Sequence, residues 1–216
     1  MKLIDMGQNI YCIQFKTQHD LASTMLRFQE YYENPHFKGR IFSLEEFKKW
    51  YIKHSPRGKK YGKFFYYKDW AGFNIPSHTL KPFYEGLFDP LSAKEKKILK
   101  LFSKKKGKFY IIALFGPLKK LIQHEMAHGV YYTNQRYRKE VNEIIKSTNK
   151  KALSSLYKYF RKHQGYHKDV FVDEAHAYIL SELPFLKRRG LNIEKFKSIR
   201  PQLEEAMKKY YNHLTV

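Results

Sequence analysis

His124, Glu125, Met126, Ala127 and His128 place two histidines four residues apart, with a carboxylate directly after the first. On an α-helix, positions i and i+4 share a face, so both imidazoles can offer a ring nitrogen to one divalent ion. Zinc takes such nitrogens at about 2.0–2.1 Å and tolerates little misplacement, which requires a rigid backbone beneath the pair. Glu125 can lean over the same ion. Because zinc lowers the pKa of its bound water toward roughly 7, a carboxylate is base enough to remove the proton. The chemistry that these residue types support is metal-assisted hydrolysis.

With 10 histidines and 14 glutamates in 216 residues, an H-E-x-x-H string arises by chance in about three such sequences per hundred, so the surrounding pattern must decide. Two histidines also leave a catalytic zinc site one protein ligand short. The metzincin pattern needs glycine three residues and histidine six residues after His128; Tyr131 and Asn134 stand there and exclude it. An SprT-like arrangement, with a third histidine shortly downstream, fits poorly because the next histidine is His163. Glu174 is the expected third ligand. It lies in an apolar helical pattern with Phe171, Ala175 and Tyr178, and the small Ala175 and Ala177 permit close approach of the first helix. Asp173, His163, His167 and His176 are alternative ligands, and a solvated helix glutamate is the reading in which Glu174 binds nothing.

Taken together, His124, Glu125, His128 and Glu174 resemble the gluzincin metallopeptidases, whose ligands are the two histidines of H-E-x-x-H and a glutamate on a later helix. The run Glu174-Ala175-His176-Ala177-Tyr178 and the 45 residues between His128 and Glu174 are most similar to the anthrax-lethal-factor-like and Pro-Pro endopeptidase group. The same run, with Leu183-Pro184 after it, also resembles the ImmA/IrrE-type peptidases, whose spacing is shorter. The likeness covers residues 118–184. It implies a zincin-like fold, one Zn²⁺ per chain on His124, His128 and Glu174, Glu125 as general base, and cleavage of a peptide bond. In the lethal-factor-like group a tyrosine shortly before the ligand glutamate stabilises the tetrahedral intermediate. Tyr166 sits eight positions before Glu174 and His167 occupies the next place, so both are candidate oxyanion donors, with Tyr166 first.

These side chains need elements to hold them. Apolar spacing predicts a strand over 9–15 and a helix over 19–33. A second helix opens at Ser43 with Glu46 three residues on and ends at 55–58; a strand follows over 63–67. Ser92 and Glu95 cap another helix, carrying Ile98, Leu99 and Phe102. The continuous run 109–115 reads as a buried or edge strand, and an edge there would offer backbone pairing to an extended substrate. Pro117 suits the first turn of the metal-bearing helix, 117–132, whose buried side includes Leu118, Leu121, Ile122, Met126 and Val130. Helices follow over 135–146 and 152–161, then a loop at Gly165 and helices over 169–183 and 201–213. The expected fold class is α+β: a helix-rich zincin-like fold with a small sheet, with the active-site helix and the glutamate helix in the C-terminal half. It reads as one domain over 1–216, with about 1–105 forming one wall of a groove and 106–216 carrying the metal-bearing helices.

Composition bounds the setting. At 43% hydrophobic and 17% aromatic, the chain can build a core, which excludes disorder as its main state. Its longest apolar run has seven residues, well short of the roughly 20 that span a bilayer, and Asp5 and Gly7 interrupt any signal-peptide core. Single Cys12 excludes an internal disulfide and suits a reducing compartment, so a cytoplasmic location is expected, with non-classical secretion left open. The net charge of +22 favours acidic partners: an acidic or phosphorylated protein or peptide substrate, or nucleic acid. The rival function is a basic nucleic-acid-binding or regulatory protein on a gluzincin scaffold, without general peptidase activity. Nothing in the pattern sets an oligomeric state.

Overall fold

The computed structural model describes residues 1–116, 118–164 and 166–211, and only the backbone of 118–121 and 164. The expectations for Pro117, for the side chains of Leu118 and Leu121, for the loop at Gly165 and for a helix end at His213 lie outside the described residues. The fold is mixed α/β, 63% helical, with a small four-stranded sheet. Contacts divide it into two units, Met1–Asp5 with Tyr11–Leu118 and Met6–Ile10 with Lys119–Val216.

The first unit carries the sheet. Strands β1 (Lys2–Asp5) and β2 (Ile10–Phe15) pair antiparallel with Lys2 opposite Gln14. Helix α1 (Gln18–Glu33) begins where the Thr17 hydroxyl accepts the Asp20 N–H, and it buries Leu21, Met25 and Phe28 as the spacing requires. Ser43 caps α2 (Leu44–His54) in the same way through the Glu46 N–H. Ser55 both closes α2 and caps a further helix, α3 (Pro56–Tyr61), so residues 55–58 begin a helix as well as ending one. Gly58 permits that corner, since a Cβ there would meet the Tyr51 carbonyl oxygen at 2.3 Å.

The strand expected over 63–67 is not formed. That segment instead passes into a short 3₁₀ turn, Tyr66–Lys68, where Tyr66 is buried and its hydroxyl donates to Glu30 Oε1 at 2.6 Å. Its aromatic residues mimic a strand by composition, but they pack as separate rings against Phe47 and Tyr51. The strand lies slightly later, as β3 (Gly72–Pro76), whose glycine, asparagine and proline conceal it from propensity. After the short α4 (Lys81–Tyr84) comes α5 (Ala93–Phe102), which opens with the expected capping box of Ser92 and Glu95. Glu95 also receives Arg27 as a fork, Nε to Oε1 at 2.7 Å and Nη2 to Oε2 at 2.6 Å, in the interior.

Strand β4 (Tyr110–Phe115) pairs antiparallel with β3, Gly72 opposite Leu114, and the strand order is β1-β2-β4-β3. The run 109–115 is therefore interior to the sheet and offers no edge to a substrate, which corrects the edge reading. Its unbroken hydrophobicity reflects burial from Tyr110 through Leu114.

The second unit is helical. It comprises α6 (Leu118–Thr133), α7 (Gln135–Ser147), α8 (Lys150–Tyr159), a π turn at Phe160–Gln164, α9 (Phe171–Ser181), α10 (Leu183–Arg188), α11 (Glu194–Lys197) and α12 (Arg200–Tyr210). Helix α9 packs among α7, α8, α10 and α12. Buried Tyr137, Val141, Leu156, Phe160, Ile179, Leu186, Phe196 and Leu203 form its core. Helix α9 stops before Pro184 as expected, and Pro184 starts the next helix, where its missing N–H is harmless. No described helix is long and apolar enough to cross a membrane.

Candidate metal centre

Helix α6 is buried all round from Met126 to Val130, and His124, one turn before His128 on the same face, is half-buried. Gly129 faces Ile10 of the same unit, where a Cβ would sit 3.0 Å from Ile10 Cδ1. Helix α9 is buried over Glu174, Ala175, His176, Ala177 and Tyr178. Ala175 and Ala177, on either side of His176, are fully buried.

The three ligand candidates converge. His124 Nε2 and His128 Nε2 are 3.1 Å apart, and Glu174 Oε2 lies 4.0 Å from the first and 3.9 Å from the second. Ligand atoms about 2.0–2.1 Å from a tetrahedral ion stand roughly 3.4 Å from one another, so these separations bracket a coordination shell and need shifts of only a few tenths of an ångström. Among the described residues, His124, His128 and Glu174 form the group that could hold a metal ion.

The opposite ring nitrogens explain why the set points inward. His128 Nδ1 lies 2.9 Å from Asp173 Oδ1, and His124 Nδ1 lies 3.1 Å from Glu182 Oε1 and 3.4 Å from Ser181 Oγ. Carboxylates this close to Nδ1 favour a proton there by their charge, so the Nε2 atoms, turned toward each other and toward Glu174, are the donors that a cation would use. Glu174 Oε2 is buried and accepts no hydrogen bond. Three electron-pair donors thus share one point that only a cation or a proton can satisfy. Two imidazoles and one carboxylate are a recognised donor set for catalytic zinc, and the residues fit the ion.

Electrostatics agree. Burial opposes a charge on His128, but Asp173, Glu174 and Glu125 outweigh it and carry its pKa up to about 10. Burial pushes Glu174 up to about 7, against the pull of His128 and His124. Burial would also raise Asp173, yet the neighbouring His128 holds it below the ordinary carboxylate range. The pocket has surplus negative charge and favours a positive centre. Glu125, half-buried beside His124, is near enough for its charge to act on both His128 and Glu174.

The alternative ligands do not join the group. His176 is fully buried, stacks on Tyr131 at 5.1 Å and has its Nδ1 3.4 Å from Asp173 Oδ1; burial drives its pKa down to about 4, so it stays neutral. Asp173 orients His128 rather than joining the ligand set. His163 stacks on Tyr159 and is exposed, while His167 is an exposed residue 3.1 Å from Asp169 Oδ2. Tyr166 is half-buried, edge-on to Phe160 and joined by a side-chain hydrogen bond to Tyr178, whose ring meets that of His124 at 4.9 Å. The structure thus links Tyr166 to the centre through Tyr178. Glu182 and Ser181 lie outside the H-E-x-x-H and glutamate-helix pattern, and their position about two helical turns after Glu174 is the one sequence signal for them.

In comparisons with known proteins, no family model, no curated protein and no solved structure matches this chain.

Proposed function

We propose that the protein is a zinc-dependent metallopeptidase of gluzincin type. One observation supports this most strongly: two carboxylate-backed histidines and a buried, otherwise unbonded glutamate oxygen aim at one point beside a second carboxylate. His124, His128 and Glu174 would hold the ion. A bound zinc supplies Lewis acidity, polarising a carbonyl and lowering the pKa of water.

Glu125 takes the proton from the attacking water and returns it to the departing amine, so the carboxylate is restored each turnover. Asp173 and Glu182 keep the two imidazoles from rotating. Tyr166, or Tyr178 through their shared hydrogen bond, donates to the oxyanion that develops on the scissile carbonyl. The charge of +22 supports an acidic substrate, and it is also the observation behind the second reading, nucleic-acid binding or regulation on the same scaffold.

Glu125→Gln separates them. Wild-type protein should cleave peptides in a proteome-derived library, and the variant should retain zinc while losing about 10²–10⁴ of the rate. Equal cleavage by the variant, or zinc-loaded wild type that cleaves no peptide, would overturn the proposal.

A further inference from the structure

A second feature of the helical unit has no part in the proposed hydrolysis. A half-open surface recess of about 560 Å³ is lined by Tyr159 and by the exposed His163, Arg188 and Arg189. Tyr159 ends α8, and His163 on the π turn stacks against it, with ring centres 5.1 Å apart. Arg188 ends α10, and the Arg189 guanidinium lies 5.0 Å over the Phe185 ring. Among the described residues neither guanidinium has a carboxylate partner. Two unneutralised guanidinium forks and an imidazole around one recess match the oxygens of a carboxylate or phosphate.

This recess connects to the metal centre through rings. Phe185 meets Tyr178 at 6.0 Å, and Tyr178 meets His124 at 4.9 Å. Together with the Arg189–Phe185 contact, that path is no longer than about five extended residues of a peptide. Resting on the peptidase reading, the geometry points to a substrate subsite: the Arg188–Arg189 recess takes an anionic side chain of the peptide a few residues from the bond that is cut.

The test measures binding to zinc-loaded Glu125→Gln protein, which removes turnover from the readout. The probes are a labelled ten-residue peptide with two glutamates, its phosphoserine counterpart, its glutamine counterpart and a single-stranded oligonucleotide. Both anionic peptides should bind about tenfold more tightly than the glutamine peptide, each guanidinium contributing a few-fold as a partly exposed ion pair does. The stronger of the two identifies the anion. Adding Arg188→Gln and Arg189→Gln should abolish the preference, while adding Lys151→Gln and Lys208→Gln, two exposed lysines outside the recess, should keep it.

Equal preference in both charge-reduced proteins would overturn the subsite. So would an oligonucleotide that binds more tightly than any peptide and loses that affinity only with the arginines. An acidic preference that depends on the arginines, in a protein whose wild type cuts nothing, would keep the anion site and sink the peptidase reading. Cleavage without acidic preference would do the reverse.

Discussion

Replacing Asp173 by asparagine removes one charge from behind a ligand while preserving the side chain's shape. Asp173 Oδ1 stands 2.9 Å from His128 Nδ1 in the interior, so the aspartate fixes which nitrogen of His128 faces Glu174 and strengthens that nitrogen as a donor. Loss of such a partner costs about 10- to 100-fold in metal affinity, or about 1.4–2.7 kcal/mol. The contacting oxygen is buried although the Asp173 side chain as a whole is 25% exposed, which places the cost of Asp173→Asn above that of Glu182→Gln. Glu182 makes the equivalent contact with His124 at 3.1 Å, but its side chain is 36% exposed, so solvent screens it and Glu182→Gln should cost about tenfold or less. Asp169→Asn, at an exposed pair with His167, serves as the control and should leave affinity unchanged. Competition against a chelating dye at fixed pH gives all three values. Equal affinity in the Asp173 variant and the control, or a larger loss for Glu182 than for Asp173, would refute the reasoning.

The ionisation of the pocket gives a sign for pH. In the metal-stripped chain His128 is raised from 6.5 to about 10 and Glu174 from 4.5 to about 7, so both bind protons more tightly folded than unfolded. Their stabilisation is complete at low pH and declines as pH rises, for Glu174 from about 4.5 through 7 and for His128 from about 6.5 through 10. Zinc displaces those protons, so its addition should raise Tm more at pH 8 than at pH 6; a smaller gain at pH 8 would contradict the assignment. In the first unit, Arg27→Met leaves Glu95 as a buried charge without its fork and should lower stability by about 3–5 kcal/mol in denaturant titration, with zinc content per chain unchanged.

The site was more legible than the sheet, for physical reasons. His124 and His128 follow from helical geometry, because a fixed i, i+4 spacing dictates a common face whatever surrounds it, whereas Glu174 rests on the apolar pattern of its own helix and on the resemblance. Helices α1 and α9 announce themselves through apolar spacing and α2 and α5 through caps, and the Ser92–Glu95 box is seen as read. Strand β3 is hidden because Gly72, Asn74 and Pro76 are poor strand formers, and its place is fixed by pairing with residues nearly forty positions away. Residues 63–67 mislead in the opposite sense, with strand-like composition but ring packing that wins locally. The interior position of β4 depends on partners on both sides, which no local window contains. Glu182 and Ser181 lie beyond the motif, and only the turn of α9 brings them to His124.

The most direct measurement is elemental analysis, with zinc K-edge absorption, of purified wild type and of His124→Ala, His128→Ala and Glu174→Ala. Wild type should carry about one zinc on two imidazole nitrogens and carboxylate oxygen, and each variant should lose most of it. A Glu174→Ala protein that keeps a full equivalent of zinc with an unaltered absorption edge would contradict the account.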